Sequence, residues 1–169
     1  MRVRLLDQEG KEVDAEIREN SRGTRLPSLQ EGWRFNFPKH AKAKGARTYV
    51  LVTSASPEEI EGCLIYKMLN ETEPYMAFIE LAPHNRGKGK RYDRVAGCLI
   101  AFACRLSFIL GEGPYKGWLA FDVQEPDKKE KIRLMAHYCT QYKAKRLAGT
   151  TTLVISPEDG EALIDRYLR

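Results

Sequence analysis

The chain has 169 residues, a net charge of +5 and 43% hydrophobic residues. A chain of this length normally forms one domain and buries roughly 70% of its unfolded surface, so it needs no disulfide or metal to fold. No apolar run is long enough to cross a membrane, no secretory signal follows Met1, and the four cysteines form no Cys-x-x-Cys pair. We therefore expect a single domain over residues 1–169 in the cytoplasm, with reduced cysteines and no bound metal.

The first 59 residues contain the least explicit pattern. Segments Arg2–Leu6 and Val13–Ile17 favour the two strands of a hairpin, and Thr48–Thr53 favours a further strand. Residues 21–27 have the composition of a loop. The segment 32–38 then brings three aromatic side chains close together, namely Trp33, Phe35 and Phe37.

A strand, a glycine loop and a helix follow one another in the middle of the chain. Segments Glu61–Leu69 and Pro74–Leu81 predict a hairpin whose turn is the polar stretch 70–73. A basic loop with two glycines occupies 86–91, and the apolar spacing over Val95–Phe108 indicates an amphipathic helix. This order predicts a cradle for phosphate groups, because exposed backbone N–H groups and the positive end of a helix attract anions.

The loop differs from the two best-known phosphate loops. A P-loop needs four residues between its glycines and a final Gly-Lys-Ser/Thr, whereas one residue separates Gly87 from Gly89. A dinucleotide-binding fingerprint needs a third glycine three positions after Gly89, where this chain has Tyr92. The sequence therefore argues against both loop types.

Four further elements are predicted after this helix. Gly117–Val123 and Thr150–Ile155 favour strands, and Lys129–Tyr142 favours a second helix. A C-terminal helix is expected over residues 157–169. From residue 60 onward, the predicted order is hairpin, loop, helix, strand, helix and strand.

This order and the basic loop resemble the GNAT superfamily of N-acetyltransferases. The family pattern Q/R-x-x-G-x-G/A joins a bulged strand to a helix and binds the diphosphate of acetyl-coenzyme A (acetyl-CoA), and the resemblance covers roughly residues 60–156. Two registers of the pattern are open. If Arg86 is the first position, Gly89 takes the place of the middle glycine and Arg91 the last place. If Arg91 is the first, Arg94 takes the middle place and Ala96 the last.

The resemblance implies an α/β fold with one mixed, mostly antiparallel central sheet flanked by helices, the acyl-CoA N-acyltransferase fold. Residues 60–156 would form the coenzyme-binding half, and residues 1–59 the variable elements on the acceptor side. Acetyl-CoA is the implied co-substrate, and backbone amides of the bulged strand would hold its pantetheine arm. Taken from both registers, the implied coenzyme-binding residues are Leu81, Ala82, Arg86, Gly87, Lys88, Gly89, Arg91, Arg94, Val95, Ala96 and Gly97.

The resemblance also implies catalytic residues. The family's tyrosine that protonates the departing thiolate lies in an Ala-x-x-Phe-Tyr-like stretch of the later helix, and residues 136–138 match the end of that stretch. Tyr138 is therefore the implied acid; alternatively, Tyr138 and Tyr142, one turn further on, together cover the core. Glu80 is the candidate base, acting through a water molecule, or else it faces solvent or pairs with an arginine.

The implied function is transfer of an acetyl group from acetyl-CoA to a primary amine on a small molecule, a protein or an aminoacyl-tRNA. Trp33 and Phe35 then either fill the sheet edge or line the acceptor site. The alternatives are a nucleic-acid-binding module and a coenzyme A-binding relative without activity. Basic clusters favour the first alternative, but the sequence contains no helix-turn-helix, zinc-finger or ribonucleoprotein motif. The two clusters are Lys39, Lys42, Lys44 and Arg47, and Arg86, Lys88, Lys90, Arg91 and Arg94.

Overall fold

The computed structural model describes residues 1–20 and 25–169. Its strands are β1 (Arg2–Leu6), β2 (Glu12–Glu19), β3 (Arg47–Thr53), β4 (Ile60–Leu69), β5 (Glu73–Leu81), β6 (Leu119–Asp122), β7 (Lys145–Arg146) and β8 (Thr152–Ile155). They form one sheet in the order β1-β2-β3-β4-β5-β6-β8-β7. Neighbouring strands are antiparallel except for β5 and β6, which are parallel. The mixed, mostly antiparallel sheet expected from the sequence is therefore confirmed.

The helices are α1 (Phe37–His40), α2 (Val95–Leu110), α3 (Lys128–Tyr142) and α4 (Pro157–Leu168). The last three bury apolar side chains in one core cluster on the same face of the sheet. α2 lies across β4 and β5, and α4 packs against α2. The helix expected over Val95–Phe108 thus exists and extends two residues further, while α1 and the two-residue strand β7 were not predicted.

The opposite face of the sheet is covered by the segment that leads into α1. Leu26, Trp33 and Phe37 are buried there against β3, β4 and β5. Trp33 is only 6% exposed, so it fills the core, in line with one of its two interpretations. Part of the loop expected over 21–27 lies outside the described residues, which resume at Arg25.

The hairpin of β4 and β5 carries a bulge. Ile65 lies opposite Phe78, and Tyr66 lies opposite Met76, so Ala77 is an extra residue in β5. A bulge bends its strand and re-aims the groups beside it. β5 therefore has the irregularity that the resemblance implies for the coenzyme-binding strand.

The parallel strands β5 and β6 separate just beyond this bulge. They pair at only two positions, of which the last joins Met76 to Phe121. β5 then continues to Leu81, whereas β6 ends at Asp122. A cleft consequently opens between the two strands.

The structure also bears on the predictions about the cysteines and about membrane-spanning segments. All four cysteines are free thiols, with Cys63, Cys98 and Cys104 buried and Cys139 exposed. Over the described residues, no helix has the length and apolar character needed to cross a membrane.

Candidate active site

The cleft between β5 and β6 contains two adjoining cavities. One, of about 260 Å³, is lined by both strands and by α3. The other, of about 740 Å³, lies at the start of α2. Five residues line both cavities, so the two form one continuous groove. These residues are Leu81, Arg86, Ala96, His137 and Tyr142.

The start of α2 has an unusual backbone conformation. Arg94, which immediately precedes the helix, has a φ of 76° in the left-handed region. That region favours glycine, and glycine is the residue of the family pattern at this place in the second register. The first turn of a helix leaves backbone N–H groups without intrahelical partners. Val95, Ala96 and Gly97 supply those groups here, and all three line the larger cavity.

Positive side chains dominate this end of the groove. Arg94 donates a hydrogen bond to the carbonyl oxygen of Arg166 at 2.7 Å, and its guanidinium lies over the Tyr167 ring. The Lys90 ammonium lies 3.0 Å from a carboxylate oxygen of Asp93, and this hydrogen bond is the main reason that the pKa of Asp93 is lowered. The described residues that line this cavity include four arginine or lysine side chains and one carboxylate. The cations are Arg86, Lys90, Arg94 and Arg166, and the carboxylate is that of Asp93.

Gly97 allows α4 to cover the first turn of α2. A Cβ atom at this position would lie 2.2 Å from the Tyr167 ring, which is closer than atoms can approach. The glycine therefore has a packing role, and Tyr167 forms one wall of the larger cavity.

Tyr138 lies on the inward stripe of α3. Leu134, Tyr138 and Tyr142 follow one another at helical spacing and line the smaller cavity. The Tyr138 ring packs edge-on against Phe121 of β6, with 5.1 Å between ring centroids. Burial raises the pKa of the Tyr138 phenol to about 12. The phenol therefore keeps its proton at neutral pH and can act as a proton donor.

Tyr142 shares this stripe and packs beside Tyr138, with 6.0 Å between ring centroids. Burial also raises the pKa of Tyr142. Its ring lies between Tyr138 and Tyr167 of α4, so it joins the two ends of the groove. His137, which immediately precedes Tyr138 in the sequence, is exposed at the rim.

The Glu80 carboxylate is buried and held by three donors. It accepts hydrogen bonds from the backbone N–H groups of Arg34 at 2.7 Å and Phe35 at 2.9 Å. The Arg86 guanidinium pairs with the same carboxylate. The predicted alternative that Glu80 pairs with an arginine is therefore present, and the side chain anchors the Arg34–Phe35 segment to β5.

The residues of the basic loop differ in where they lie. Arg86 lines both cavities, but its guanidinium also donates to the carbonyl oxygen of Leu81 through Nε at 3.1 Å. Gly87 lines the larger cavity. Arg91 instead pairs with Glu59 at 2.9 Å. Lys88, Gly89 and Arg91 are exposed and line neither cavity.

The backbone of β5 presents alternating N–H groups to the two sides of the strand. The N–H of Ala82 donates to the carbonyl oxygen of Glu61 in β4 at 3.0 Å, so it faces away from the cleft. Because backbone groups alternate along a strand, the N–H groups of Ile79 and Leu81 face the open edge beside β6. Leu81 thus lines the groove, whereas Ala82 does not.

Three contacts at the site involve residues that the sequence analysis did not single out. Arg34 pairs with Glu125, which lies beyond β6, so the Arg34–Phe35 segment crosses the mouth of the smaller cavity. Asn85 is buried and holds the basic loop, since its side chain donates to the carbonyl oxygen of Glu61 and accepts from the N–H of Tyr92. Contacts between segments that are far apart in the sequence leave no periodic pattern in it. Only the position of Asn85 between Pro83 and the glycine loop indicated a turn.

The other basic cluster lies away from the groove. Lys39, Lys42, Lys44 and Arg47 are exposed and line neither cavity. Arg47 pairs with Glu19 on the neighbouring strand. Phe35, in contrast, lines the smaller cavity and packs edge-on against Phe78 of β5.

Comparison with known proteins gives matches to solved structures alone. No family model matches the chain, and neither does any curated protein. The AtaT–AtaR complex bound to DNA matches with a TM-score of 0.58 and 14% identity over 89% of this chain and 98% of the other. The KacTA–DNA complex matches with a TM-score of 0.57 and 11% identity over 90% and 99% of the two chains.

A third match is a GNAT family acetyltransferase from Elizabethkingia anophelis with acetyl-CoA bound. Its TM-score is 0.54, with 12% identity over 84% of this chain and 97% of the other. At such low identity the likeness concerns the fold, and it confirms the resemblance to GNAT acetyltransferases. The chain has the acyl-CoA N-acyltransferase fold.

Proposed function

We propose that the protein is an N-acyltransferase that moves an acetyl group from acetyl-CoA to a primary amine. The observation that carries this proposal is the single groove that joins the start of α2 to the Tyr138 phenol. One end offers backbone N–H groups and cations, and the other offers a proton donor beside an open strand edge. A thioester attached to a diphosphate needs both.

The diphosphate would bind at the start of α2, which we call the diphosphate end (residues 94–97). The N–H groups of Val95, Ala96 and Gly97 supply donors, and the helix dipole favours negative charge there. Arg94 and Lys90 add charge beside them. The left-handed conformation of Arg94 supports the second register of the family pattern, in which this position carries glycine.

The pantetheine arm would then run along the open edge of β5. Its two amides need partners in the cleft, and the N–H groups of Ile79 and Leu81 face that edge. The thioester would follow, beside Tyr138. We call this part of the groove, from residues 79–81 to Tyr138, the thioester end.

The chemistry at the thioester end is direct transfer. The amine nitrogen attacks the thioester carbonyl carbon, a C–N bond forms, and the C–S bond breaks as the electron pair leaves on sulfur. Tyr138 gives its proton to that sulfur, and the proton that the amine loses restores the phenol. Because burial keeps the pKa of Tyr138 at about 12, the donor is fully protonated before the reaction.

Glu80 has a positioning role in this proposal. Its carboxylate accepts from Arg34, Phe35 and Arg86 at once, so little of it is free to reach an amine. By holding the Arg34–Phe35 segment, it keeps Phe35 against the smaller cavity, where the acceptor would enter. The proton that the amine loses then reaches the Tyr138 phenol through water.

A thermal-shift experiment tests the proposal. A ligand that binds only the folded state at 100 times its dissociation constant adds about 2.7 kcal/mol to the free energy of unfolding. Acetyl-CoA should therefore raise the melting temperature by several degrees, and an amine panel that includes peptides and an aminoacyl-tRNA should then reveal acetylated product. No shift with acetyl-CoA, together with a clear shift with short DNA or RNA, would favour the nucleic-acid-binding alternative.

A further inference from the structure

A mixed group of metal-binding side chains lies outside the groove. Three side chains each place a ligand atom within 4.8 Å of the others: Glu59 just before β4, Glu61 at the start of β4, and His84 in the turn after β5. They border a pocket of about 830 Å³ on the sheet face covered by Trp33, although Glu61 itself lies too deep to line it. None of the three lines the cleft.

The Glu61 carboxylate makes this group more than a patch of surface charge. Its side chain is only 2% exposed, and both its oxygens face the same ring nitrogen of His84, at 2.6 and 2.9 Å. A carboxylate that is taken out of water needs a positive partner. That partner is either the ring N–H group of His84 or a metal ion that the imidazole and the carboxylate share.

We propose that Glu59, Glu61 and His84 bind a divalent transition-metal ion of the Zn²⁺ class. An imidazole with carboxylates suits Zn²⁺ and its neighbours, whereas Mg²⁺ and Ca²⁺ prefer oxygen ligands throughout. Glu59 is half-exposed and lies 3.9 Å from the other ring nitrogen of His84, so binding requires Glu59 to turn and Glu61 to move slightly away from His84. Three protein ligands leave one tetrahedral position open toward the pocket, which a water molecule would fill.

The surroundings fit a cation. Glu31 and Glu58 line the same pocket and add negative charge, while Arg25 and Arg91 pair with Glu31 and Glu59 at its rim. An ion here would join β4 to the turn that leads into Arg86 and the groove. Binding would therefore stabilise the fold as well as occupy the pocket.

Calorimetry with Zn²⁺, and the visible absorption of bound Co²⁺, test the proposal on the full chain. We expect one saturable site per chain, a rise in melting temperature with Zn²⁺, and no comparable effect of Mg²⁺. His84→Asn and Glu59→Gln should each weaken Zn²⁺ binding by more than roughly 100-fold, the upper end of what loss of an outer-shell partner costs. Glu59→Gln is preferred to Glu61→Gln, because Glu61 is buried and its replacement could impair folding.

Glu58→Gln is the matched control, because it removes one negative charge from the same pocket without removing a ligand. Its Zn²⁺ affinity should stay close to that of the wild type. Absence of saturable Zn²⁺ and Co²⁺ binding in the wild type would overturn the proposal and leave the ring N–H group of His84 as the partner of Glu61. Equal losses from Glu58→Gln and Glu59→Gln would overturn it as well, because they would indicate a diffuse acidic field.

Discussion

The two ends of the groove use different parts of the chain. The diphosphate end consists of backbone N–H groups and exposed cations, several of which already pair with neighbouring groups such as Asp93 and the carbonyl oxygen of Arg166. The thioester end consists of the open edge of β5 and partly buried side chains, and its chemistry depends on one hydroxyl group, that of Tyr138. Single side-chain changes at the diphosphate end should therefore lower the acetyl-CoA affinity only in part. At the thioester end, removal of the one hydroxyl group should abolish most of the turnover.

The largest effect is expected for Tyr138→Phe. The ring and its packing on Phe121 remain, but the proton for the departing thiolate is lost, so turnover should fall by about 10² to 10⁴-fold. Acetyl-CoA affinity and melting temperature should change little. Steady-state kinetics measure the turnover, titration calorimetry measures the affinity, and thermal unfolding gives the melting temperature.

Tyr142→Phe is the control for this prediction, because it removes a hydroxyl group from the same stripe of α3. Its turnover should stay near that of the wild type. If Tyr138→Phe retained full turnover, Tyr138 would be a core residue, and water or another group would protonate the thiolate.

A smaller effect is expected for Arg94→Gly. The change removes a guanidinium from the diphosphate end, and charge-assisted hydrogen bonds contribute roughly 1.5–3 kcal/mol each, so acetyl-CoA should bind about 10 to 150 times more weakly. Glycine suits the φ of 76°, so the loss should not come from misfolding. Calorimetry and thermal unfolding of the same sample separate the two effects. An unchanged affinity would show that the diphosphate binds elsewhere.

Glu80→Gln should reduce the stability of the protein more than it reduces the rate of acetyl transfer. The amide keeps one acceptor oxygen but loses the charge that faces Arg86 and two backbone N–H groups, so the free energy of unfolding should fall by about 1–3 kcal/mol. The KM for the acceptor should rise because the Arg34–Phe35 segment loosens. Glu130→Gln, the same change at an exposed ion pair on α3, should leave stability unchanged. A large fall in kcat with a shifted pH profile and full stability would instead identify Glu80 as the base.

The smallest effect is expected from the basic cluster outside the groove. Replacement of Lys39, Lys42 and Lys44 by Ala should leave acetyl-CoA affinity within about twofold, since long-range charge effects are screened at physiological salt. Calorimetry in the same buffer checks this. A loss as large as that of Arg94→Gly would mean that overall positive charge, and not the start of α2, binds the coenzyme.

The elements that position the groove follow from local patterns in the sequence. The apolar spacing of Val95–Phe108 predicted α2, and two apolar strands around a polar turn predicted the hairpin of β4 and β5. Local patterns cannot show which backbone groups are free, however. Ala82 was predicted beside Leu81, and it faces β4 because strand residues alternate.

Contacts between distant segments account for what the sequence did not reveal. Glu80 meets Arg34 and Phe35 across more than forty positions of the chain, which no short-range spacing encodes. The same is true of His84 and Glu61, whose pairing requires β4 and β5 to be neighbours. The backbone conformation of Arg94 was equally hidden: the second register placed this residue where the family pattern has glycine, but its left-handed φ is visible only in the structure.

The central claim is that one groove holds the diphosphate at Arg94 and the thioester at Tyr138. Titration of the wild type and of Arg94→Gly with acetyl-CoA and with S-acetylpantetheine, which lacks the diphosphate, tests it most directly. The wild type should strongly prefer acetyl-CoA, and in Arg94→Gly that preference should fall by about 10 to 150-fold while S-acetylpantetheine binds as well as it does to the wild type. Failure of the wild type to bind acetyl-CoA, or an equal loss of both ligands in Arg94→Gly, would contradict the account.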